Sequence, residues 1–360
     1  MTREASLEVR PASAVRRVGG LSVLERQLFT LSRAGIGKVR LLGISPHLLE
    51  GLRLPADLDV RWGPAEAGLA GGNPAVAVSG DHFIRVEALK SLLSRGASRA
   101  DARTLPARDV ISLDNPDSTL TSWLLEGVRK PHDGFMARHF DRHISLGITR
   151  LLLDTPLAPT HMTLISTGIG LAGAVQFLLI DHAHEILGAS LIWLHTVLDG
   201  CDGEMARLTF RESRLGAVLD FWGDNAVHVA LFTCMALDVA HDYPSALVFG
   251  ALAGLGTLGS AWLAFKSRPE TPPEAGRTRV GSLLRNMEVA LAQRDFIYLL
   301  VLAAIFDRAE WFMWAAGIGT PLYLAGMIYL RLQASSRRAA GRKADLAPLE
   351  ANELKSGLGV

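Results

Sequence analysis

Long uncharged stretches in the second half of the chain constrain its fold more than any other feature. Thr163–Ile180, Tyr243–Phe265 and Trp311–Leu330 contain 18, 23 and 20 residues, none of them charged. A helix needs about 20 apolar residues to cross the hydrocarbon core of a bilayer. Three windows near this length favour membrane-spanning helices over the buried core helices of a large soluble protein.

Three more stretches are also apolar but are shorter or are interrupted by polar residues. They are Ile186–Leu198, Leu215–Leu237 and Phe296–Phe306. We interpret them as membrane helices whose polar residues face other helices rather than lipid. The sequence therefore predicts an α-helical integral membrane protein with six transmembrane helices.

Composition excludes several classes of protein. The 37 Lys and Arg residues nearly cancel the 36 Asp and Glu residues, so the net charge of +1 gives no reason to expect a nucleic-acid partner. Two cysteines, Cys201 and Cys234, are too few for a disulfide framework. The N-terminus lacks the basic and apolar pattern of a signal peptide, and we expect no cleaved leader.

Basic residues in the connections predict the membrane orientation. The connections Asp181–Glu185 and Asp238–Tyr243 contain no Lys or Arg, whereas the connection at residues 207–214, the connection Lys266–Arg294 and the tail after Leu330 are basic. Basic connections stay on the cytoplasmic side. We expect both termini to face the cytoplasm from an inner or plasma membrane.

The pattern along the chain predicts four regions. Residues 1–115 alternate strands and helices as a small α/β domain does, and residues 116–157 form an amphipathic juxtamembrane segment. Residues 158–333 hold the six helices, and residues 334–360 form a basic tail that we expect to be disordered. The juxtamembrane segment fits a helix lying along the lipid surface and an ordinary packed helix equally well.

Four carboxylates on two consecutive predicted helices are the most informative group. Carboxylates at membrane depth mark a functional site, and four together would repel unless cations lay between them. Hard divalent ions such as Mg²⁺ or Mn²⁺ prefer oxygen ligands of this kind. Small residues on the same faces leave room for a flat ligand against the backbone. At helical spacing, one face carries Asp199, Asp202, Gly203, Ala206 and Arg207, and the next carries Gly216, Asp220, Gly223 and Asp224.

These residues fit the pattern D-x-x-D-G-x-x-A-R-x8-G-x3-D-x3-D in full, which resembles the signature of the CDP-alcohol phosphotransferases. The resemblance implies a six-helix membrane fold, a homodimer, an active site open to the cytoplasm, and two divalent cations, Mg²⁺ or Mn²⁺. The implied roles follow the motif. Asp199, Asp202, Asp220 and Asp224 hold the metals, Gly203, Ala206, Arg207 and Gly216 bind the CDP-alcohol, and Asp224 is also the general base.

The implied reaction moves a substituted phosphate group from a CDP-alcohol to the hydroxyl of a lipid or of inositol phosphate and releases CMP. A phosphorylated acceptor would approach Arg211 and Arg214, although solvated loop charges explain those two residues equally well. A non-catalytic cation pathway lined by carboxylates is the alternative function. Arg207 favours the transferase, because a cation pathway has no use for a fixed positive charge.

Two positions depart from the family pattern. Thr160 stands where Asn is usual before the first membrane helix, and Asn225 follows the last motif aspartate where many members have Arg. Neither position is an expected metal ligand. Both departures bear on the choice of donor or acceptor.

The first 115 residues resemble pieces of a nucleotidyltransferase. Leu21–Arg33 is predicted as a helix, Val39–Leu42 as a strand and residues 74–93 as strand, turn and helix, with Gly80 and Asp81 at the strand end. A glycine-rich nucleotide loop is missing, so we expect a truncated, non-catalytic domain. The combination resembles the bifunctional inositol-phosphate cytidylyltransferase and di-inositol-phosphate phosphate synthases.

Overall fold

A computed structural model describes residues 3–63, 76–96, 99–100, 105–129, 134–179, 181–266 and 296–357. The predicted basic connection Lys266–Arg294 lies outside these residues apart from Lys266. The chain forms two compact units that do not follow its linear order. The first comprises Met1–Pro131, Arg142–Met162 and Gly200–Arg214, and the second comprises His132–Asp141, Thr163–Asp199 and Leu215–Val360.

The first unit is built on a parallel sheet with the strand order β5-β4-β1-β6-β8. Strand β1 pairs in parallel with β4 on one side and β6 on the other. Two short antiparallel pairs, β2 with β3 and β7 with β9, complete the strands. The strands are β1 Arg3–Glu8, β2 Arg17–Val18, β3 Leu21–Ser22, β4 Ile36–Leu42, β5 Asp59–Gly63, β6 Val76–Ser79, β7 His82–Ile84, β8 Arg99–Ala100 and β9 Val110–Ser112.

The predicted helix at Leu21–Arg33 is confirmed as Val23–Arg33, which follows the four-residue helix α1 (Pro11–Ala14) and is named α2. Ser22 caps it, because its hydroxyl accepts the Glu25 N–H while the Glu25 carboxylate accepts the Ser22 N–H. Gly35 follows the helix with a φ of +88°, a conformation that favours glycine. The predicted strand at Val39–Leu42 is also confirmed, and it begins earlier, at Ile36.

The predicted strand, turn and helix at residues 74–93 appear as β6, the extra short strand β7, and helix α3 (Val86–Ser94). Gly80 lies at the end of β6, where a Cβ atom would be only 2.3 Å from the carbonyl oxygen of Glu8. Only glycine permits this close approach. Asp81 forms an ion pair with Arg10 at 3.2 Å.

The juxtamembrane segment contains two helices of the first unit, α4 (Asp117–Gly127) and α5 (Arg142–Leu152). Helix α5 buries a polar face that includes Ser145 and Thr149, whereas Leu151 is 77% exposed. The helix therefore packs through polar side chains as well as through the buried Leu146, and Leu151 lies on its exposed side. Helix α5 is packed in the first unit, and contact of this segment with lipid stays a prediction.

All six apolar stretches predicted in the second half are helical. The glycines among them let helices approach closely, as small residues do in membrane proteins. A Cβ on Gly173 would be 2.9 Å from that of Leu191, and one on Gly250 would be 2.2 Å from that of Ala236. The helices are α6 Pro159–Gln176, α7 His182–Leu208, α8 Arg214–Val239, α9 Ala246–Lys266, α10 Phe296–Ile305 and α11 Ala309–Gly357.

Two helices of the described residues are long and apolar enough to cross a membrane. They are Ala246–Lys266 and the part of α11 at Ala309–Gln333, with mean hydropathies of 1.6 and 1.3, and Phe296–Ile305 is apolar but shorter. Val248 and Leu255 on α9 and Leu322 on α11 are 60–67% exposed. Large apolar side chains exposed in this number are typical of a surface that contacts lipid. Membrane crossing by all six helices stays a prediction.

Helix α11 continues to Gly357, so most of the tail that we expected to be disordered from residue 334 is helical in the structure. Ala, Leu, Arg, Lys and Glu make up most of residues 334–357. These residue types have high intrinsic helix propensity. Adding residues to the end of an existing helix also avoids the cost of starting a new one.

Candidate metal centre

Three of the four motif carboxylates come together in the second unit. Asp199 on α7 and Asp220 and Asp224 on α8 each offer an oxygen, and these oxygens lie within 4.8 Å of one another. Asp199 is buried at 7% exposure, and the other two are half-buried. Asp220 and Asp224 are four residues apart, so they share a face of α8. The convergence predicted from helical spacing is confirmed for these three.

The ligand set fits a hard divalent cation. All three side chains offer carboxylate oxygens, which Mg²⁺ and Mn²⁺ prefer. Three carboxylates within 4.8 Å repel one another when ionised, and a cation between them removes that repulsion. The residues present therefore suit the metal that the sequence pattern implies.

His195 is a member of this site that the sequence analysis missed. Its Nε2 lies 3.5 Å from Oδ1 of Asp224, and its Nδ1 lies 2.9 Å from the carbonyl oxygen of Ser166. A carbonyl only accepts hydrogen bonds, so Nδ1 carries a hydrogen and the ring is fixed in direction. The ring is 3% exposed. The available signal was spacing, because His195 precedes Asp199 by four residues and so shares its helix face.

Helix α6 packs closely against the helices α7 and α8 that carry the acids. A Cβ on Gly223, the residue before Asp224, would lie 2.6 Å from Oγ1 of Thr167 on α6. A Cβ on Gly170 would lie 2.9 Å from the ring of His195. Both glycines therefore allow α6 to pack directly against the helices that carry the acids.

The remaining motif residues of α7 belong to the first unit. Asp202 is buried at 5% exposure and is not a member of the three-carboxylate group. The Arg207 guanidinium lies against Gly203, where a Cβ would be 3.0 Å from Nη1. Ala206, like Gly203 and Arg207, is half-buried. Gly203 and Arg207 are thus close together, and the roles of these three residues stay predictions.

The remaining predicted substrate residues lie around the start of α8. Gly216 is half-buried in the first turn of that helix, and Arg211 and Arg214 are exposed. Their exposure is equally compatible with binding an acceptor phosphate and with ordinary solvation, so the role of these two arginines stays a prediction.

Glu204 is a second residue that sequence reasoning undervalued. It lies inside the motif, it is fully buried, and its carboxylate binds three groups of α5. Arg142 donates to Oε1 as an ion pair, Ser145 donates to Oε1 at 2.7 Å, and Thr149 donates to Oε2 at 2.7 Å. These contacts fix α5 against the motif end of α7. Three polar residues spaced at i, i+3 and i+7 on α5 were the available signal.

A second group of potential ligands lies elsewhere in the second unit. His182, Glu185 and Asp307 also bring ligand atoms within 4.8 Å of one another. His182 and Asp307 are exposed, and Nδ1 of His182 is 3.0 Å from Oδ1 of Asp307. Any measurement of metal binding to this protein therefore needs a control for these residues.

Comparison with known proteins places the second half of the chain in a family. A family model described as CDP-alcohol phosphatidyltransferase matches residues 157–322. The phosphatidylinositol phosphate synthase of Corynebacterium glutamicum is 31% identical over 207 residues, which cover 55% of this chain and 90% of that protein.

A longer relative is the bifunctional IPC transferase and DIPP synthase of Rubrobacter xylanophilus. It is 36% identical over 138 residues, which cover 38% of this chain and 30% of that protein. The match to bifunctional relatives thus spans about a third of their length.

Solved structures of the Mycobacterium tuberculosis phosphatidylinositol phosphate synthase also match. One has CDP-DAG bound, with 22% identity and a TM-score of 0.37, covering 52% of this chain and 93% of that one. Another is in complex with manganese and citrate, with 21% identity and a TM-score of 0.36, covering 52% and 88%.

Proposed function

Because this chain belongs to the CDP-alcohol phosphatidyltransferase family, we propose that it transfers a substituted phosphate group from a CDP-alcohol to an acceptor hydroxyl and releases CMP. The observation that carries the proposal is the approach of Asp199, Asp220 and Asp224 to within 4.8 Å in a complete family signature. Asp202 joins them as a metal ligand in the proposal on the strength of that signature.

Bound divalent cations, two in the family pattern, would neutralise the charge of the donor pyrophosphate during transfer. The chain's own residues would do the rest. Arg207 offers a planar fork to a phosphate oxygen, and Gly203, Ala206 and Gly216 leave space for the cytidine part of the donor. The Asp224 carboxylate accepts the proton of the acceptor hydroxyl, whose oxygen bonds to the phosphorus as the bond from that phosphorus to the CMP oxygen breaks.

The relatives support two candidate substrate pairs for this chain. A CDP-diacylglycerol donor would give a phospholipid, and a CDP-inositol donor would give a soluble diester. In both cases we propose inositol phosphate as the acceptor, because Arg211 and Arg214 are exposed cations beside the motif. Incubating the purified protein with each radiolabelled donor and partitioning the product between organic and aqueous phases identifies the pair.

The decisive activity test is CMP release in the presence of Mg²⁺ or Mn²⁺. Wild-type protein should release CMP from one of the two donors when the acceptor is present. Asp224→Asn should abolish release while donor binding persists, and Asp238→Asn, beyond the carboxylate group near the end of α8, should leave release unchanged. Absence of CMP with every donor and acceptor would favour the non-catalytic cation pathway, and full turnover in Asp224→Asn would remove Asp224 from the base role.

We propose that all six helices cross the membrane as a homodimer, with both termini and the acids at the cytoplasmic side. The exposed apolar faces of α9 and α11 support the membrane location. Cys201 and Cys234 are buried, so introduced cysteines report orientation without a cysteine-free background. Ser213→Cys should react only from the cytoplasmic side and Ser245→Cys only from the other side; labelling of both from one side would contradict the orientation.

A further inference from the structure

The turn that joins α7 to α8 ends α7 in an unusual way. The Arg211 N–H bonds to the Ala206 carbonyl oxygen at 2.9 Å, five residues back, which is the long bond of a Schellman motif. The residue that adopts the left-handed conformation in this motif is Phe210, with a φ of +51°, where glycine is the usual choice. A phenylalanine holds this conformation only when surrounding groups fix it.

The groups that fix the turn come from the α/β part of the first unit. The ring of Phe29 on α2 stacks on Phe210 with centroids 5.2 Å apart and planes 10° from parallel. Arg53 donates to the carbonyl oxygens of Thr209 and Phe210, at 3.2 Å each. Arg26 donates to the carbonyl oxygen of Leu208 at 2.9 Å. Arginines thus satisfy three consecutive carbonyls at the helix end, where carbonyls lack partners within the helix.

These arginines are themselves held in place. Arg26 is buried at 4% exposure and also donates to the carbonyl oxygens of Val18 and Gly19. Burial lowers the pKa of Arg26 to about 10, so it stays charged at neutral pH. The backbone N–H of Arg53 donates to the Glu25 carboxylate at 2.8 Å, and Ser22, the N-cap of α2, orients that carboxylate.

An ion pair also joins the α/β domain to the turn, and a cation–π contact supports the stacked ring. Arg33 on α2 forms an exposed ion pair with Glu212 of the turn. The Arg53 guanidinium also lies 5.0 Å from the centroid of the Phe29 ring, so the stacked ring and the arginine support each other. The α/β domain therefore contacts residues 208–212 through the Phe29 ring, which stacks on Phe210. It also contacts them through three arginines, Arg26, Arg33 and Arg53.

We propose that the α/β domain is a clamp on the α7–α8 turn, and that Arg26 and Arg53 are positioning residues for the transfer reaction. The turn is the covalent link between the helix that carries Asp199 and the helix that carries Asp220 and Asp224. The α/β domain thereby has a use that does not require catalysis of its own. The effect on transfer rests on the proposed function, whereas the clamp itself does not.

The test combines proteolysis with kinetics on the full chain in detergent. Trypsin cleaves after Arg211 or Arg214 only when the turn opens. Arg53→Ala should speed cleavage there about tenfold, the factor expected from losing net hydrogen bonds worth about 1.4 kcal/mol. It should lower kcat for CMP release by a similar factor while the KM for the donor stays the same. Arg61→Ala, an exposed arginine on β5, is the matched control and should change neither.

The outcomes separate the two proposals. If Arg53→Ala is cleaved at the wild-type rate, the clamp is wrong. If Arg53→Ala is cleaved faster but turns over at the full rate, Arg53 is not a positioning residue for transfer. If the wild type is inactive with every CDP-alcohol while Arg53→Ala is still cleaved faster, the clamp proposal is supported and the proposed function is wrong. If Arg53→Ala does not fold, Phe29→Leu, which removes only the stacked ring, is judged by the same two readouts.

Discussion

The buried Glu204 carboxylate gives the sharpest stability prediction. Glu204→Ala would leave the Arg142 guanidinium buried without its anion, since the side chains are 0% and 10% exposed. It would also remove the acceptor of the Ser145 and Thr149 hydroxyls. Breaking a buried ion pair by removing one partner costs about 3–5 kcal/mol.

This loss of stability converts to a measurable fall in the unfolding temperature. Domains of about 150–250 residues lose roughly 2–4 °C of Tm per kcal/mol, so Glu204→Ala should lower the unfolding temperature by about 6–20 °C. The assay is tryptophan fluorescence during heating in detergent at one fixed scan rate, because membrane proteins often unfold irreversibly. Glu204→Gln, which keeps an acceptor for one hydroxyl, should fall between Glu204→Ala and wild type.

Two controls isolate the ion pair. Glu87→Ala breaks an exposed pair with Lys90 and should shift the unfolding temperature by less than about 2 °C. The double variant Glu204→Leu with Arg142→Met removes both charges and should recover much of the loss, because apolar replacements of buried pairs are often neutral. A Glu204→Ala protein that unfolds within 2 °C of wild type would refute the reasoning.

Two more predictions concern the metal centre. His195→Asn should lower kcat about tenfold or more in the CMP-release assay, because Asp224 loses the ring that faces it, and wild-type turnover would show that the contact is incidental. Gly223→Ala should lower activity and the unfolding temperature, since the new Cβ meets Thr167 at 2.6 Å and overpacking costs about 1–3 kcal/mol. Gly168→Ala, where a Cβ meets nothing within 4 Å, is its control, and equal behaviour of the two alanine variants would contradict the packing argument.

The elements that sequence predicted well are those with strong local signals. Ser22 and Glu25 form a capping box that marks the start of α2, and the uncharged stretches mark the helices of the second unit. The approach of Asp220 to Asp224 follows from helical periodicity alone. Local chemistry thus determines the helices and the faces on which their acids lie.

Tertiary partners account for what sequence reasoning missed. A phenylalanine at Phe210 gives no local signal for a left-handed turn, because its conformation depends on Phe29, 181 residues away along the chain. The partner of the polar face of α5 is Glu204, which lies 55 residues or more further along the chain. His195 was missed because its partner Asp224 lies on a different helix, although the spacing to Asp199 placed both on one helix face.

Manganese binding tests the central claim most directly. Electron paramagnetic resonance of Mn²⁺ titrated into the purified protein counts the bound ions without requiring turnover. Wild type and Asp307→Asn, which disables the second ligand group, should bind Mn²⁺ alike, and Asp220→Asn should lose that binding. If Asp220→Asn binds as much Mn²⁺ as wild type while Asp307→Asn loses it, the carboxylates of α7 and α8 are not the metal centre.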